Sequence, residues 1–153
     1  MKGAHALGQQ YAHYLIERLG GEVIEHRPNG RGGYSMVVAF GAEKYPIRIK
    51  ASLTGRDDMA TWQPDLRLDA DEALGSRAHV VLLIDIRRPG HERTYVLTEA
   101  EYRAFINEHH NAWLDTKPGR RRPRTPDSPH TAINDWQVVE HEGAWWKLPG
   151  CRA

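Results

Sequence analysis

The chain has 153 residues, of which 40% are apolar and 27% charged. These are the proportions of one globular domain with a core of its own, not of a fibrous or disordered chain. Its single cysteine, Cys151, excludes an internal disulfide and a cysteine-built zinc site, and a formal charge of +1 gives no overall bias toward nucleic acid.

Residues 4–19 are expected to form a helix, because Leu7, Tyr11, Tyr14, Leu15 and Leu19 recur every three or four positions before Gly20-Gly21 stops them. No secretory segment precedes this stretch and no apolar run is long enough to cross a bilayer, so the expected compartment is the cytosol. A short strand over 23–26 gives way to the turn residues Pro28-Asn29-Gly30 and Gly32-Gly33. A hairpin follows, with strands over 34–40 and 45–52 joined by Gly41-Ala42-Glu43-Lys44. Tyr45, Ile47, Ile49 and Ala51 alternate there with Lys44, Arg48 and Lys50, which puts one face on a core and the other in a cleft or in water.

Residues 53–76 show no sustained period, and Trp62 and Leu66-Arg67-Leu68 are expected to tack this long connection onto the domain. The run 79–87 is the most apolar and reads as a central strand buried on both faces. Pro89-Gly90 turns the chain into a strand over 94–97. Thr98 and Glu101 then form a capping box, with Leu97 and Tyr102 as its hydrophobic staple. The helix they open carries Tyr102, Phe105, Ile106, His109 and Trp113 on one face down to Pro118-Gly119. Ser128-Pro129 is expected to start a helical turn carrying Ile133 and Trp136, and Val138-Val139 with Trp145–Leu148 a closing hairpin or docking segment.

Charge is unevenly placed. Asp57, Asp58, Asp65, Asp69, Asp71 and Glu72 crowd one connection, and Lys117, Arg120, Arg121, Arg122 and Arg124 another, the second interleaved with prolines. Solvated loops explain both runs, while the basic one also suits a polyanion. The order of elements divides the chain into an α/β core over 1–116, a basic Pro/Arg-rich loop over 117–129 and a Trp-rich segment over 130–153 of the same domain.

Familiar nucleotide and metal motifs are missing. Gly30-Arg31-Gly32-Gly33 leads into a strand, not a helix N-terminus, and reads as a turn. The nine histidines lack a cluster of acids around them: His109 and His110 are adjacent on one helix, and His5 and His13 lie two turns apart. No metal ligands are assigned. The informative residues are Arg48 and Lys50, on one face of a strand, with Ser35 at the start of its partner: either a solvated edge or a phosphate-binding cleft.

A helix, a strand and a hairpin ending in Tyr45-Pro46-Ile47-Arg48-Ile49-Lys50-Ala51-Ser52, then a Trp-bearing connection and an apolar strand, resemble the restriction-endonuclease-like PD-(D/E)xK superfamily over residues 2–110. The nearest forms are small members of the Holliday-junction-resolvase type. The resemblance implies a mixed sheet flanked by helices, and sheet-edge or helix-mediated homodimers. By position, the family's aspartate falls on Ser35, its third-strand acid or glutamine on Arg48, its lysine on Lys50 and its helix glutamate near Gln9. Of the family's charged pattern Lys50 survives, so the resemblance implies a degenerate member without a cofactor, whose cleft is expected to bind DNA or RNA through Ser35, Arg48 and Lys50. Outside the resemblance, the basic residues Arg120, Arg121, Arg122 and Arg124, with His130, are expected to follow the nucleic-acid backbone. Two alternatives stand beside it. One is an active, divergent nuclease using Mg²⁺ or Mn²⁺ with Lys50, Glu17 and Glu25; the other is an inhibitor or accessory protein that binds a protein partner and no nucleic acid. No membrane role is expected.

Overall fold

The computed structural model describes residues 3–27, 34–53, 55–56, 59–62, 78–115 and 133–152. In chain order the elements are helix α1 (Ala4–Arg18), strands β1 (Glu22–His26), β2 (Met36–Phe40), β3 (Glu43–Ser52), β4 (Gly55–Arg56), β5 (Met59–Trp62), β6 (Val80–Asp85) and β7 (Arg93–Thr98), helix α2 (Glu99–Asp115), strand β8 (Ile133–Asn134) and three 3-10 turns. A five-stranded sheet runs in the order β1-β2-β3-β6-β7. Its β3–β6 pairing is parallel and the others are antiparallel. This is the α/β mixed sheet flanked by helices that the resemblance implied. No helix among the described residues is long and apolar enough to cross a membrane.

β6 is buried at all six positions, as its continuous apolar run requires of a strand covered on both faces. On one face, Met36, Val38, Phe40, Tyr45, Ile47, Ile49, Val80, Leu82, Ile84 and Val96 pack against Ala12 and Ile16 of α1. On the other, Val81, Leu83, Tyr95 and Leu97 meet Tyr102 and Ile106 of α2 together with Ala60, Trp62 and Ile133. The second helix starts as its sequence dictates: the Thr98 N–H donates to Glu101 Oε1 at 2.9 Å and the Glu101 N–H to Thr98 Oγ1 at 3.1 Å. Leu97 and Tyr102 lie in one apolar cluster beneath that cap.

Two expectations are corrected, and of two alternatives for the closing segment one is selected. The aperiodic connection contains the β4–β5 hairpin, and Trp62 anchors it by burying its ring and donating from Nε1 to Ile84 O at 3.2 Å. Ile133 lies in a strand and not a helical turn, because β8 pairs with β5 and buries it. The closing segment forms no hairpin; it docks as 3-10 turns through Val138, Ala144 and Leu148. Leu66-Arg67-Leu68, Pro118-Gly119 and Ser128-Pro129 lie outside the described residues.

The closing segment covers the outer edge of β7. Gly143 N–H donates to Thr94 O at 2.9 Å, and Lys147 Nζ reaches Val96 O at 3.0 Å, Glu101 Oε1 at 3.0 Å and His141 Nδ1 at 2.7 Å. Burial and the Lys147 ammonium hold the His141 imidazole below its ordinary pKa, against the opposing pull of Glu101 and Glu140. The unfolded chain therefore takes up this proton first. The contribution is full above the unfolded value of about 6.5 and is lost as pH falls through the lower folded value. Denaturant melts are expected to show stability declining as pH falls from about 7 to 5, with a shallower decline in His141→Gln; equal slopes would contradict this.

Candidate functional site

The sheet has an open end. β2 pairs with β3 from Phe40–Glu43 only as far as Met36–Ile47, while β3 runs on alongside β6 to Ser52–Asp85. Where β2 departs, Ser35 takes over its bonding: its N–H donates to Ile47 O at 2.8 Å and its Oγ accepts the Ile49 N–H at 2.9 Å. Ser35 is 1% exposed. α1 closes the gap by close approach, since a Cβ on Gly8 would lie 2.5 Å from Ala51 Cβ.

Gln9, next along α1, is buried in this notch. Its Nε2 donates to Arg27 O at 2.9 Å and approaches Ser35 O at 3.4 Å, and its Oε1 lies 3.2 Å from His26 Nδ1. His26 shares a 2.8 Å hydrogen bond with His13, which in turn bonds Glu17. Partial cover and His13 hold the His26 imidazole below its ordinary pKa. Gln9 thus ties helix, first strand and the start of β2 into one polar joint through its amide.

Strand alternation places Arg48, Lys50 and Ser52 on the face opposite α1, beside α2. Arg48 is buried there, 8% exposed, with its guanidinium carbon 5.9 Å from the Tyr102 ring centroid. It does not lie on a solvated edge. Lys50 is half-buried. Glu17 and Glu25 are not brought to it. Glu17 is exposed and bonded to His13, and Glu25 pairs with Arg27 at 3.0 Å. Glu25 faces Val37, which faces Pro46, so two strand spacings and four residues separate it from Lys50, roughly 16 Å between Cα atoms. Arg120, Arg121, Arg122, Arg124 and His130 lie outside the described residues.

The same end and face hold residues that carry no familiar motif in the sequence. Asp85 stands opposite Ser52 on one side and Arg93 on the other. Arg87 grips it through Nε–Oδ1 at 2.9 Å and Nη2–Oδ2 at 3.0 Å, and donates from Nη1 to Met59 O at 2.9 Å. Burial alone would raise the Asp85 carboxyl; the Arg87 hydrogen bonds and charge outweigh it and hold it below its ordinary pKa. Asp85, Arg87, Arg88, His91 and Arg93 line a cleft of ≈ 500 Å³. Its signal was available in the basic residues flanking the Pro89-Gly90 turn directly after the central strand.

Mg²⁺ or Mn²⁺, the ions that the divergent-nuclease alternative requires, need anionic oxygen ligands. The described positions offer a guanidinium at Arg48, a hydroxyl engaged with the sheet at Ser35, an amide engaged with backbone at Gln9, and a carboxylate at Asp85 occupied by Arg87. These residues do not fit such an ion. Among the described residues no three His, Cys, Asp or Glu side chains come together as a metal site.

No family model matches the chain and no curated protein matches it in sequence. Among solved structures it is similar to a bacterial homing endonuclease, I-Ssp6803I, with a TM-score of 0.53 and 12% sequence identity, covering 94% of this chain and 86% of that one. The fold is nuclease-like. At this identity the likeness carries architecture alone, so the roles of side chains within the nuclease-like fold rest on the geometry above.

Proposed function

We propose that this domain binds DNA or RNA without cutting it, as a degenerate PD-(D/E)xK nuclease-like protein acting alone or as an accessory subunit of a nucleic-acid-processing assembly. One observation carries the proposal. Arg48, a buried cation, occupies the strand position where the resemblance places a metal-binding acid or glutamine. A positive charge there repels a divalent ion and favours a phosphate at the same end of the sheet. The fold shared with a homing endonuclease supports a nucleic-acid ligand. Lys50 is the proposed contact at the sheet end, and Arg120, Arg121, Arg122, Arg124 and His130 are proposed to extend it along the backbone.

A native gel of labelled single- and double-stranded DNA and RNA, run with Mn²⁺ and with EDTA, tests this reading. A retarded band of equal strength in both, without shortened product, is expected. Mn²⁺-dependent cutting abolished by Lys50→Ala would overturn it in favour of a divergent nuclease. A purely protein-binding role draws on one observation: Trp136, Val139 and Trp146 are 64%, 65% and 68% exposed on the closing segment. Neither retardation nor cutting in the same gel would favour that role.

A further inference from the structure

Two histidines on different elements meet nitrogen to nitrogen where α1 lies against β1. His13 Nδ1 is 2.8 Å from His26 Nε2. The rings are 11° from parallel, with centroids 5.0 Å apart. Parallel rings stacked face to face stand about 3.5 Å apart, so a 2.8 Å contact means that these two meet at their edges.

The outer nitrogen of each ring has a partner that fixes its hydrogen. His13 Nε2 faces Glu17 Oε1, and a carboxylate only accepts, so His13 Nε2 carries a hydrogen. His26 Nδ1 faces Gln9 Oε1 at 3.2 Å. The Gln9 amide is oriented by Nε2 donating to Arg27 O at 2.9 Å, which leaves Oε1 as the acceptor and puts a hydrogen on His26 Nδ1. A neutral imidazole has a single N–H. With both rings neutral, the inner nitrogens would therefore oppose each other as bare lone pairs. With both rings charged, two N–H groups would oppose each other. One added proton on the pair completes the row from Glu17 through His13 and His26 to Gln9.

We propose that His13 and His26 form a proton-operated latch between α1 and β1, closed by one proton shared between the rings and opened by its loss or by the gain of a second. The proton comes from solvent, which reaches the row because the His13 and Glu17 side chains are 38% and 61% exposed. The Glu17 carboxylate balances its charge. Partial cover and the charge of His13 hold the His26 imidazole below its ordinary pKa, which opposes the second proton. Of the neighbouring ionisable groups, His5 Nε2 accepts from Gln9 Nε2 at 2.9 Å, and Glu25 is paired with Arg27. β2 sets the apolar Met36 opposite His26. Through Gln9 the latch reaches Arg27 O and Ser35 O, at the open end of the sheet.

The test is a nitrogen-15 NMR titration of the imidazole nitrogens from about pH 8.5 to 4.5, in wild type, His13→Gln and His26→Gln. Wild type is expected to show hydrogens on His13 Nε2 and His26 Nδ1, with both inner nitrogens part-way between bare and protonated. The pair is expected to titrate in two steps separated by more than about one pH unit, and the ring left in each variant in a single step between them. The Arg27 and Ser35 amide signals are expected to move with the wild-type steps. The wild-type shifts decide the hydrogen positions without any substitution. Bare outer nitrogens, a ring that titrates identically with and without its partner, or Arg27 and Ser35 signals that stay fixed would each overturn the latch.

Discussion

Gly8→Leu is expected to destabilise the domain by about 3 kcal/mol or to prevent its folding. α1 crosses β3 at this residue, and the crossing leaves no room for a side chain: a Cβ would stand 2.5 Å from Ala51 Cβ and 3.6 Å from Ile49 Cγ2. The Ala51 methyl has no rotamer by which to retreat, so the helix must lift. Lifting it uncovers Ala12 and Ile16, which are fully buried against the sheet, and pulls Gln9 away from Arg27 and Ser35. The sign of the smaller change is the sharper test. Gly→Ala inside a helix ordinarily gains up to about 1 kcal/mol, whereas Gly8→Ala is expected to lose stability in urea melts. A more stable Gly8→Ala protein would contradict the close approach.

Arg48→Glu restores a carboxylate where the resemblance places an acid or glutamine, and is expected to cost about 3 kcal/mol or more. The guanidinium is 8% exposed and lies near the Tyr102 ring. A carboxylate there exchanges a favourable cation–ring contact for an anion beside the negative ring face, with little water to solvate it. Arg48→Met, which keeps the length without a charge, is expected to cost less than the glutamate. Urea midpoints of the two variants measure the difference. Equal stability of Arg48→Glu and wild type would show that the position accommodates an acid, and would favour the divergent-nuclease alternative.

The fold was largely legible in the sequence because its signals are local and strong. The β6 run, the alternation from Tyr45 to Ala51 and the Thr98/Glu101 cap each specify an element through its neighbours in the chain. The β4–β5 hairpin was not legible, since its two short strands carry too few residues for a period; what fixes it is the distant pairing of Trp62 with Ile133 and the bond from Trp62 to Ile84. The site was legible in part. Arg48 and Lys50 were found as a same-face pair, but alternation does not say which face α2 covers, and so the burial of Arg48 under Tyr102 was hidden. The role of Gln9 was hidden too, because its partners at 26, 27 and 35 arrive from other strands. Asp85, Arg87 and Arg93 assemble through sheet register and a turn.

The most direct test of the central claim is the salt dependence of nucleic-acid affinity for wild type and Lys50→Ala. The account predicts that wild-type affinity falls linearly with log salt, and that Lys50→Ala binds several-fold more weakly, with a slope shallower by about 0.7 to 0.9. Identical titration curves for the two proteins would remove Lys50 from the interface and contradict a nucleic-acid site at the open end of this sheet.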